Sequence, residues 1–446
     1  MRSIVSDPSR DFNINSRDER GVFFLGTIIR VGRLIDGTGT APMQNAEVLV
    51  EDGKITGTGP QGNYSETDHH VVDHKELTAI PGMIDLHTHF CYPPDKGFQA
   101  TQERTNRVGM MVSGFEMARS WLRQGVTTAR DLGTPFDMDI GFKELIVEKP
   151  EMGPRLVTSG RMMTMTGGKR NSFDHMKDEV TGPNETRRWA RNHMKEGADV
   201  IKLYCTTLLE ENVLEYVERA LAQPDDAPDP GRWSSFTTEE IAAVVTEAHK
   251  AGRTVAAHAS PAFGIKLALR GGVDSVEHGG DLDDEAIELF MKTGATLVPT
   301  ITVFHHQLTQ GEKMEVPQPF IDFAHRRWER TQVMLDRART AGVKVGTGTD
   351  CVGMRDMVFW TEPELLVEVG FSPMEAIQAA TGVAAACMGM AGEAVGTLEP
   401  GKWADMVLLK DNPLDRIGNI RKVVQVLKSG QVVAGEIGSG KGACDE

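Results

Sequence analysis

The chain has 446 residues, with 40% hydrophobic residues, 25% charged residues and a formal net charge of −16. This composition is typical of a globular enzyme with a large core, and the negative charge argues against nucleic acid and anionic membranes as partners. No segment approaches the roughly 20 consecutive apolar residues that would cross a bilayer. Residues 1–23 are polar and lack the apolar core of a signal peptide, so we expect a flexible arm there.

The cysteines are few and scattered, and none forms a CxxC pair. They are Cys91, Cys205, Cys351, Cys387 and Cys444. This spacing does not indicate a disulfide framework or a cysteine metal site. Reduced thiols are typical of a cytoplasmic protein, which is the location that we expect.

Both ends of the chain predict β-structure. Segments 27–31 and 46–50 read as strands, and the latter runs into an Asp-Gly hairpin signal at 52–53. Segments 405–409 and 423–427 have the same character. Neither end has enough strands to close a core alone, so we expect the two ends to join in one small domain.

Strand and helix patterns alternate between the two ends. The predicted strands are 84–89, 126–131, 155–159, 199–204, 254–258, 273–278, 295–303 and 343–350. The predicted helices are 107–124, 184–196, 238–251, 262–271, 283–293, 319–341 and 373–388. Alternation of this kind predicts parallel strands with right-handed crossovers, and about eight units close into a (β/α)8 TIM barrel.

The predicted fold is therefore α/β, with a barrel and a smaller β-domain. We assign residues 81–393 to the barrel and residues 24–80 and 394–437 to the two parts of a β-sandwich. Residues 438–446 are expected to form a flexible tail. The proline-rich and aspartate-rich segment 220–235 predicts an exposed loop, which is either a plain insertion or a cover for the site.

A His-x-His pair ends the first predicted barrel strand. His87 and His89 point the same way if that strand continues to its end, and two convergent imidazoles suit a divalent metal. An exposed pair in a loop is the alternative. Lys202, His258 and Asp350 also lie at the ends of predicted strands, where chemistry sits in a barrel.

Lys202 is the unusual member of this set. An ordinary lysine has a pKa of about 10.4 and would repel a divalent cation, so a salt bridge elsewhere is the plain interpretation. His278, at the end of strand 273–278, completes the set.

The ordered pattern of His-x-His, lysine, histidine, histidine and aspartate resembles the metal-dependent amidohydrolase superfamily, from about residue 24 to 435. In that family the lysine is often N-carboxylated by carbon dioxide. The resemblance implies a carbamate on Lys202 that bridges two divalent metal ions, with zinc expected. It further implies that one ion is bound by His87, His89 and Asp350 and the other by His258 and His278.

The resemblance also implies the reaction. The paired ions would generate a hydroxide that attacks an amide-type carbonyl. Asp350 would take its proton and deliver it to the leaving nitrogen, so that a C–N bond is hydrolysed. The family match extends to Gly125–Asp131, where Arg130 and Asp131 are expected to support the barrel mouth.

Segments Thr164–Gly168 and Gly197–Tyr204 resemble the branch related to imidazolonepropionases and prolidases, which includes hydrolases of dipeptides, N-acyl amino acids and ochratoxin-type amides. Relatives commonly carry a histidine after the paired glycines and a tyrosine two residues after the fifth-strand histidine. Lys169 and Ser260 stand there instead.

Four residues are predicted to bind substrate: Lys169, Arg170, Tyr204 and His305. Lys169 and Arg170 either bind a substrate carboxylate or form surface ion pairs.

Three functions remain open at this stage. The first is hydrolysis of a carboxylate-bearing amide, and the second is hydrolysis of a neutral amide, carbamate, urea or cyclic amide. The third is a non-catalytic scaffold that kept the barrel, which the complete ligand set argues against. The expected partner is a small-molecule amide, and a homo-oligomer is expected because such enzymes commonly form one.

Overall fold

The structure is a computed structural model that describes residues 25–92, 106–168, 174–208, 213–224, 232–311, 316–352 and 357–435. The predicted arm 1–23 and tail 438–446 lie outside the described residues, as do Lys169 and Arg170. None of the helices in the described ranges is both long enough and apolar enough to cross a membrane.

The described strands are numbered in chain order. They are β1 (Gly26–Leu34), β2 (Met43–Glu51), β3 (Lys54–Pro60), β4 (His69–Pro81), β5 (Met83–His89), β6 (Val126–Asp131), β7 (Arg155–Thr158), β8 (Met162–Met165), β9 (Lys177–Val180), β10 (Val200–Tyr204), β11 (Thr206–Leu208), β12 (Arg232–Ser234), β13 (Thr254–Ala259), β14 (Ser275–His278), β15 (Thr296–Val298), β16 (Lys344–Val345), β17 (Cys351–Val352), β18 (Met406–Leu409), β19 (Val423–Lys428) and β20 (Gln431–Gly435).

The described α-helices are α1 (Arg107–Arg123), α2 (Met138–Glu148), α3 (Gly182–Glu196), α4 (Val213–Leu221), α5 (Thr238–Lys250), α6 (Ala262–Gly271), α7 (Asp284–Thr293), α8 (Ile301–Gln310), α9 (Gln318–Ala341), α10 (Thr361–Glu368), α11 (Pro373–Ala379) and α12 (Gly382–Cys387). Local signals explain where several of them begin. Thr237 and Glu240 form a capping box before α5, and Ser372 and Glu375 form another before α11.

Strands from both ends of the chain share one seven-stranded sheet, with the order β20-β19-β18-β4-β1-β2-β3. The predicted Asp-Gly turn joins β2 to β3, and Asp52 and Gly53 both have the positive φ that a tight hairpin needs. Strands from both parts of the predicted β-sandwich belong to this sheet, because β4 pairs with β1 on one edge and with β18 on the other. Both groups of strands thus merge into a single sheet within the described residues.

The middle of the chain forms parallel sheets packed with helices. One sheet has the order β16-β15-β14-β13-β10-β8-β9 and the other β17-β5-β6-β7. Backbone hydrogen bonds connect the two sheets at both ends, from Asp199 N–H to Thr158 O (2.7 Å) and from Leu86 N–H to Thr347 O (2.9 Å). The architecture is therefore α/β with parallel strands, as predicted.

Several predicted boundaries are wrong for identifiable reasons. Predicted strand 295–303 ends at Val298, because Thr300 adopts a left-handed φ of 51° and α8 begins at Ile301. Predicted strand 343–350 divides into β16 and β17.

Two further segments also differ from prediction. Predicted helix 373–388 divides into α11 and α12, because Thr381 has non-helical backbone angles. Part of the predicted loop 220–235 is strand β12, which pairs with β11.

The described cysteines are all free and buried: Cys91, Cys205, Cys351 and Cys387. Cys444 lies outside the described residues.

Candidate metal centre

The His-x-His pair lies at the carboxyl end of β5, a strand whose seven residues are all buried. His87 and His89 are 1% and 6% exposed, and Thr88 between them is fully buried. The hydroxyl of Thr88 donates to Arg130 O, so its side chain points away from the pair. Strand alternation therefore turns both imidazoles to one side, as predicted.

The other four predicted ligands come from neighbouring parallel strands. His258 and His278 lie at the carboxyl ends of β13 and β14, and Asp350 directly precedes β17. Lys202 differs from the prediction, because it lies within β10 and pairs with Ala256, two residues before the level of His258. Lys202 is only 2% exposed, so it lies deeper in the site than the residues at the strand ends.

These side chains lie next to one another. Asp350 Oδ1 is 3.3 Å from His89 Nε2 and 3.6 Å from His87 Nε2. Lys202 Nζ is 3.5 Å from His87 Nε2. The ring centroid of His278 lies 4.9 Å from that of His87 and 4.5 Å from that of His258. Each of the six predicted metal residues therefore lies beside at least one other, and His87, His278 and Asp350 form the compact centre of the cluster.

The second ring nitrogen of three of these histidines is already engaged. His87 Nδ1 lies 2.8 Å from Glu277 Oε2, His89 Nδ1 lies 2.7 Å from Gly133 O, and His278 Nδ1 lies 2.8 Å from Thr300 Oγ1. Protein metal sites hold histidine ligands in this way, with one nitrogen donating to an oxygen and the other facing the ion.

Candidate ligand atoms of His87, His278 and Asp350 lie within 4.8 Å of one another, which is compact enough to hold an ion. The residues therefore fit a divalent metal.

The local electrostatics favour the forms that bind metals. Burial, with the nearby Lys202 charge, lowers the pKa of His87 to about 4, and burial lowers the pKa of His278 well below its ordinary value. Burial alone would raise the pKa of Asp350, but His87, His89 and His278 hold it well below its usual range. Neutral imidazoles and an ionised carboxylate are the forms in which these groups bind metals.

Backbone strain is concentrated at the cluster. His278, Thr300 and Asp350 have φ values of 69°, 51° and 53°, a left-handed region that side chains other than glycine rarely adopt. Such residues persist only where the surroundings hold them, and they occur preferentially at functional sites. Asp85 fixes the segment before Asp350, because its carboxylate accepts hydrogen bonds from Thr349 N–H (3.0 Å) and Thr349 Oγ1 (2.7 Å).

Glu277 is a site residue that the sequence analysis missed. It bonds His87 through Oε2 and accepts a hydrogen bond from Arg130 Nη2 (2.8 Å) through Oε1. Arg130 is fully buried and also donates to Leu86 O (2.7 Å), as expected for a residue that supports the strand ends. An acidic residue directly before a predicted histidine ligand was the available signal.

The predicted substrate-binding residues have different surroundings. Tyr204 stacks on His258, with ring centroids 3.9 Å apart and planes inclined by 11°. His305 lies in α8 rather than at the end of a strand, and the charged groups that act on it are Glu368, Glu364 and Arg421. Glu368, Glu364 and Arg421 are not members of the metal cluster.

Comparison with known proteins agrees with this geometry. Residues 78–433 match the family model described as "Amidohydrolase family". The chain belongs to the amidohydrolase family. It is a hydrolase of C–N bonds, and metal binding is general in that family.

Individual relatives are similar along most of their length. The chain is 28% identical to the ochratoxinase of Aspergillus niger, over 96% of this chain and 89% of the relative. It is 25% identical to the imidazolonepropionase of Salinispora tropica, over 85% of this chain and 90% of the relative. A crystal structure of a Xaa-Pro dipeptidase with bound methionine has a TM-score of 0.77 and 28% identity, and covers 91% of this chain and 99% of that one.

Proposed function

We propose that this amidohydrolase hydrolyses an amide C–N bond at a binuclear metal centre, in a substrate that carries a carboxylate. The observation that supports the centre is the compact group of His87, His278 and Asp350, beside which lie His89, Lys202 and His258. When bound there, divalent cations, with zinc expected, would lower the pKa of a water molecule and polarise the amide carbonyl.

Asp350 is the catalytic residue in this proposal. Because neighbouring imidazoles hold its pKa low, it is a carboxylate at neutral pH and can accept a proton from the attacking water. Delivery of that proton to the amide nitrogen lets the C–N bond break. Glu277 and Arg130 keep the His87 ring in place during these steps.

We further propose that Lys202 is N-carboxylated. A buried ammonium 3.5 Å from His87 Nε2 would oppose cation binding, whereas a carbamate would supply two oxygens to two ions. His87 and His89 with Asp350 would hold one ion, and His258 with His278 the other.

We infer that the two parallel sheets are the wall of one (β/α)8 barrel. The hydrogen bonds between Asp199 and Thr158 and between Leu86 and Thr347 support closure on both sides. All six proposed ligands would then lie toward the carboxyl end of one barrel, where barrel enzymes carry their chemistry.

Arg327 on α9 supports a carboxylate-bearing substrate. Its guanidinium lies 4.3 Å from the centroid of Phe304, one helical turn after Thr300, whose hydroxyl contacts His278. Met334, two turns further along α9, accepts a hydrogen bond from Gly280 N–H (3.0 Å) just past His278. Arg327 therefore lies near the strand end that carries His278, and its charge adds to burial and other cations in lowering the pKa of His278. A guanidinium fork at this position suits a carboxylate.

Metal-loaded protein should be tested on N-acyl amino acids and dipeptides, each beside its C-terminal carboxamide analogue. The acids should be hydrolysed at least 10-fold more efficiently, and chelation should abolish turnover until zinc is restored. Full turnover after exhaustive chelation would overturn the metal mechanism. Equal or faster hydrolysis of the carboxamides, or of carbamates and ureas, would instead favour a neutral substrate.

Arg327→Met provides a second test of substrate class. It should raise KM for the acids about 10-fold to 100-fold, the value of a charged hydrogen bond, and leave KM for the carboxamides unchanged. Arg327→Lys should restore part of the loss. Arg337→Met is the matched control, since Arg337 lies on the same helix and pairs with Asp284 at the surface.

A further inference from the structure

Glu362 is a fully buried acid on α10 that contacts the first turn of another helix. Its carboxyl oxygens accept hydrogen bonds from Ile301 N–H (3.2 Å), Thr302 N–H (2.8 Å) and Thr302 Oγ1 (2.6 Å). Ile301 and Thr302 are the first two residues of α8. Glu362 therefore caps α8 from outside that helix.

The first N–H groups of a helix have no partner within it, and the residue before the helix usually provides one. Thr300 occupies that position and is a residue type that often caps, yet it makes no capping hydrogen bond. Its hydroxyl instead lies 2.8 Å from His278 Nδ1. Because Glu362 accepts hydrogen bonds from the first two N–H groups of α8, the Thr300 hydroxyl is available to contact the imidazole of His278.

Thr300 also needs external support for its backbone. It is fully buried with φ of 51°, a left-handed conformation that is costly for a β-branched residue. The two residues that follow it are fixed by three hydrogen bonds to one carboxyl group. The surroundings that hold Thr300 in this conformation thus include Glu362.

We propose that Glu362 is a positioning residue for the metal centre: by capping α8 it holds Thr300 so that its hydroxyl orients the imidazole of His278. The inference rests on the proposed role of His278 as a metal ligand. Outer residues that orient histidine ligands commonly change metal affinity by about 10-fold to 100-fold when they are removed. Glu362 acts one step further out, through Thr300.

Metal affinity tests this chain of contacts without any substrate. Zinc and cobalt would be titrated into metal-free full-length protein, with a chelating dye as competitor and the cobalt absorption spectrum as a second readout. His278→Ala should lose one ion. Thr300→Val should weaken that ion about 10-fold to 100-fold, and Thr300→Ser, which keeps the hydroxyl, should restore it.

Glu362→Gln and Glu362→Ala should weaken the same ion at least 5-fold and shift the cobalt spectrum as Thr300→Val does. Combining Glu362→Gln with Thr300→Val should add little, because both act through His278. Asp283→Ala is the matched control, since Asp283 caps α7 by accepting from Ala286 N–H (2.8 Å). It should lower the melting temperature but leave metal affinity unchanged.

Two different failures can be distinguished. If both Glu362 variants lower only the melting temperature, as Asp283→Ala does, Glu362 is a helix cap alone and the inference is wrong. If His278→Ala retains both ions, the proposed role of His278 as a metal ligand is wrong, and if the wild-type protein binds no ion, the proposed metal function is wrong. Glu362→Gln conserves the size of the side chain, so it provides the decisive measurement if Glu362→Ala does not fold.

Discussion

At the scale of single residues, the centre depends on a buried ion pair between Arg130 and Glu277, both fully buried. Because His87 shares the Glu277 carboxylate, one acid both neutralises a guanidinium and orients a proposed ligand. Removing one partner of a buried ion pair lowers the free energy of unfolding by more than the intact pair contributes to it. The reason is that the remaining charge is left buried without a partner and with little water around it.

Glu277→Gln should therefore lower the free energy of unfolding of metal-free protein by about 3–5 kcal/mol. Urea denaturation would measure it. The control is Asp336→Asn, which removes a surface pair with Arg339 and should cost no more than about 1 kcal/mol. A loss for Glu277→Gln no larger than that of the control would contradict this account.

The sequence was sufficient to locate the proposed ligands because each lies in or beside a short apolar strand. It did not reveal Glu277, because adjacent residues of a strand point to opposite faces, so His278 and Glu277 could not both be expected at the centre. The φ of 69° at His278 breaks that alternation. Thr300 was hidden for a similar reason, since its left-handed backbone depends on distant contacts.

At the scale of helices and strands, amphipathic spacing and caps predicted α5, α6 and α9 closely. Helix α8 was missed because the apolar residues on both sides of Pro299 were assigned to one strand, although a proline inside such a run argues against a continuous strand. Side chains also join neighbouring helices, as where Glu247 of α5 pairs with Arg191 (3.0 Å) and Arg187 (3.2 Å) of α3. The hydrogen bond from Arg191 leads the contacts that lower the pKa of Glu247 to about 2.

This pair should contribute to stability in a defined range of pH. Because the folded pKa is below the ordinary 4.5, the contribution is present above pH 4.5 and is lost as pH falls toward 2. Glu247→Gln should therefore have a lower urea midpoint at pH 6 and a shallower decline between pH 4.5 and pH 3. The control is Glu239→Gln, because Glu239 is exposed on the same helix. Parallel plots of urea midpoint against pH for wild type and Glu247→Gln would refute the prediction.

At the scale of the whole molecule, the sheet built from both ends of the chain packs on the α/β body through polar contacts. Lys428 of β19 donates from Nζ to Pro150 O (2.9 Å) and Gly153 O (2.7 Å). Burial, with the Arg155 charge, lowers the pKa of Lys428 to about 7. A homo-oligomeric state and a cytoplasmic location stay predictions from the sequence.

Lys428 should make stability depend on alkaline pH. Its folded pKa is below the unfolded value of 10.5, so the unfolded chain binds more protons between pH 7 and pH 10.5 and stability rises across that range. Lys428→Met should flatten this rise and lose about 0.5–1.5 kcal/mol for each hydrogen bond. Urea denaturation at pH 7 and pH 9 would measure the free energy of unfolding of both proteins. An equal rise with pH in wild type and Lys428→Met would show that burial does not lower the pKa of this amine.

The pairing of β4 with strands from both ends has a consequence for biosynthesis. One edge of β4 is matched by β1 soon after it emerges from the ribosome, but the other edge waits for β18. Until Met406 has been translated, this edge of β4 in the nascent protein presents an open row of amide and carbonyl groups. An open strand edge can pair with strands of other chains and so promote aggregation. The last part of translation, which supplies β18, therefore closes an aggregation-prone edge of β4.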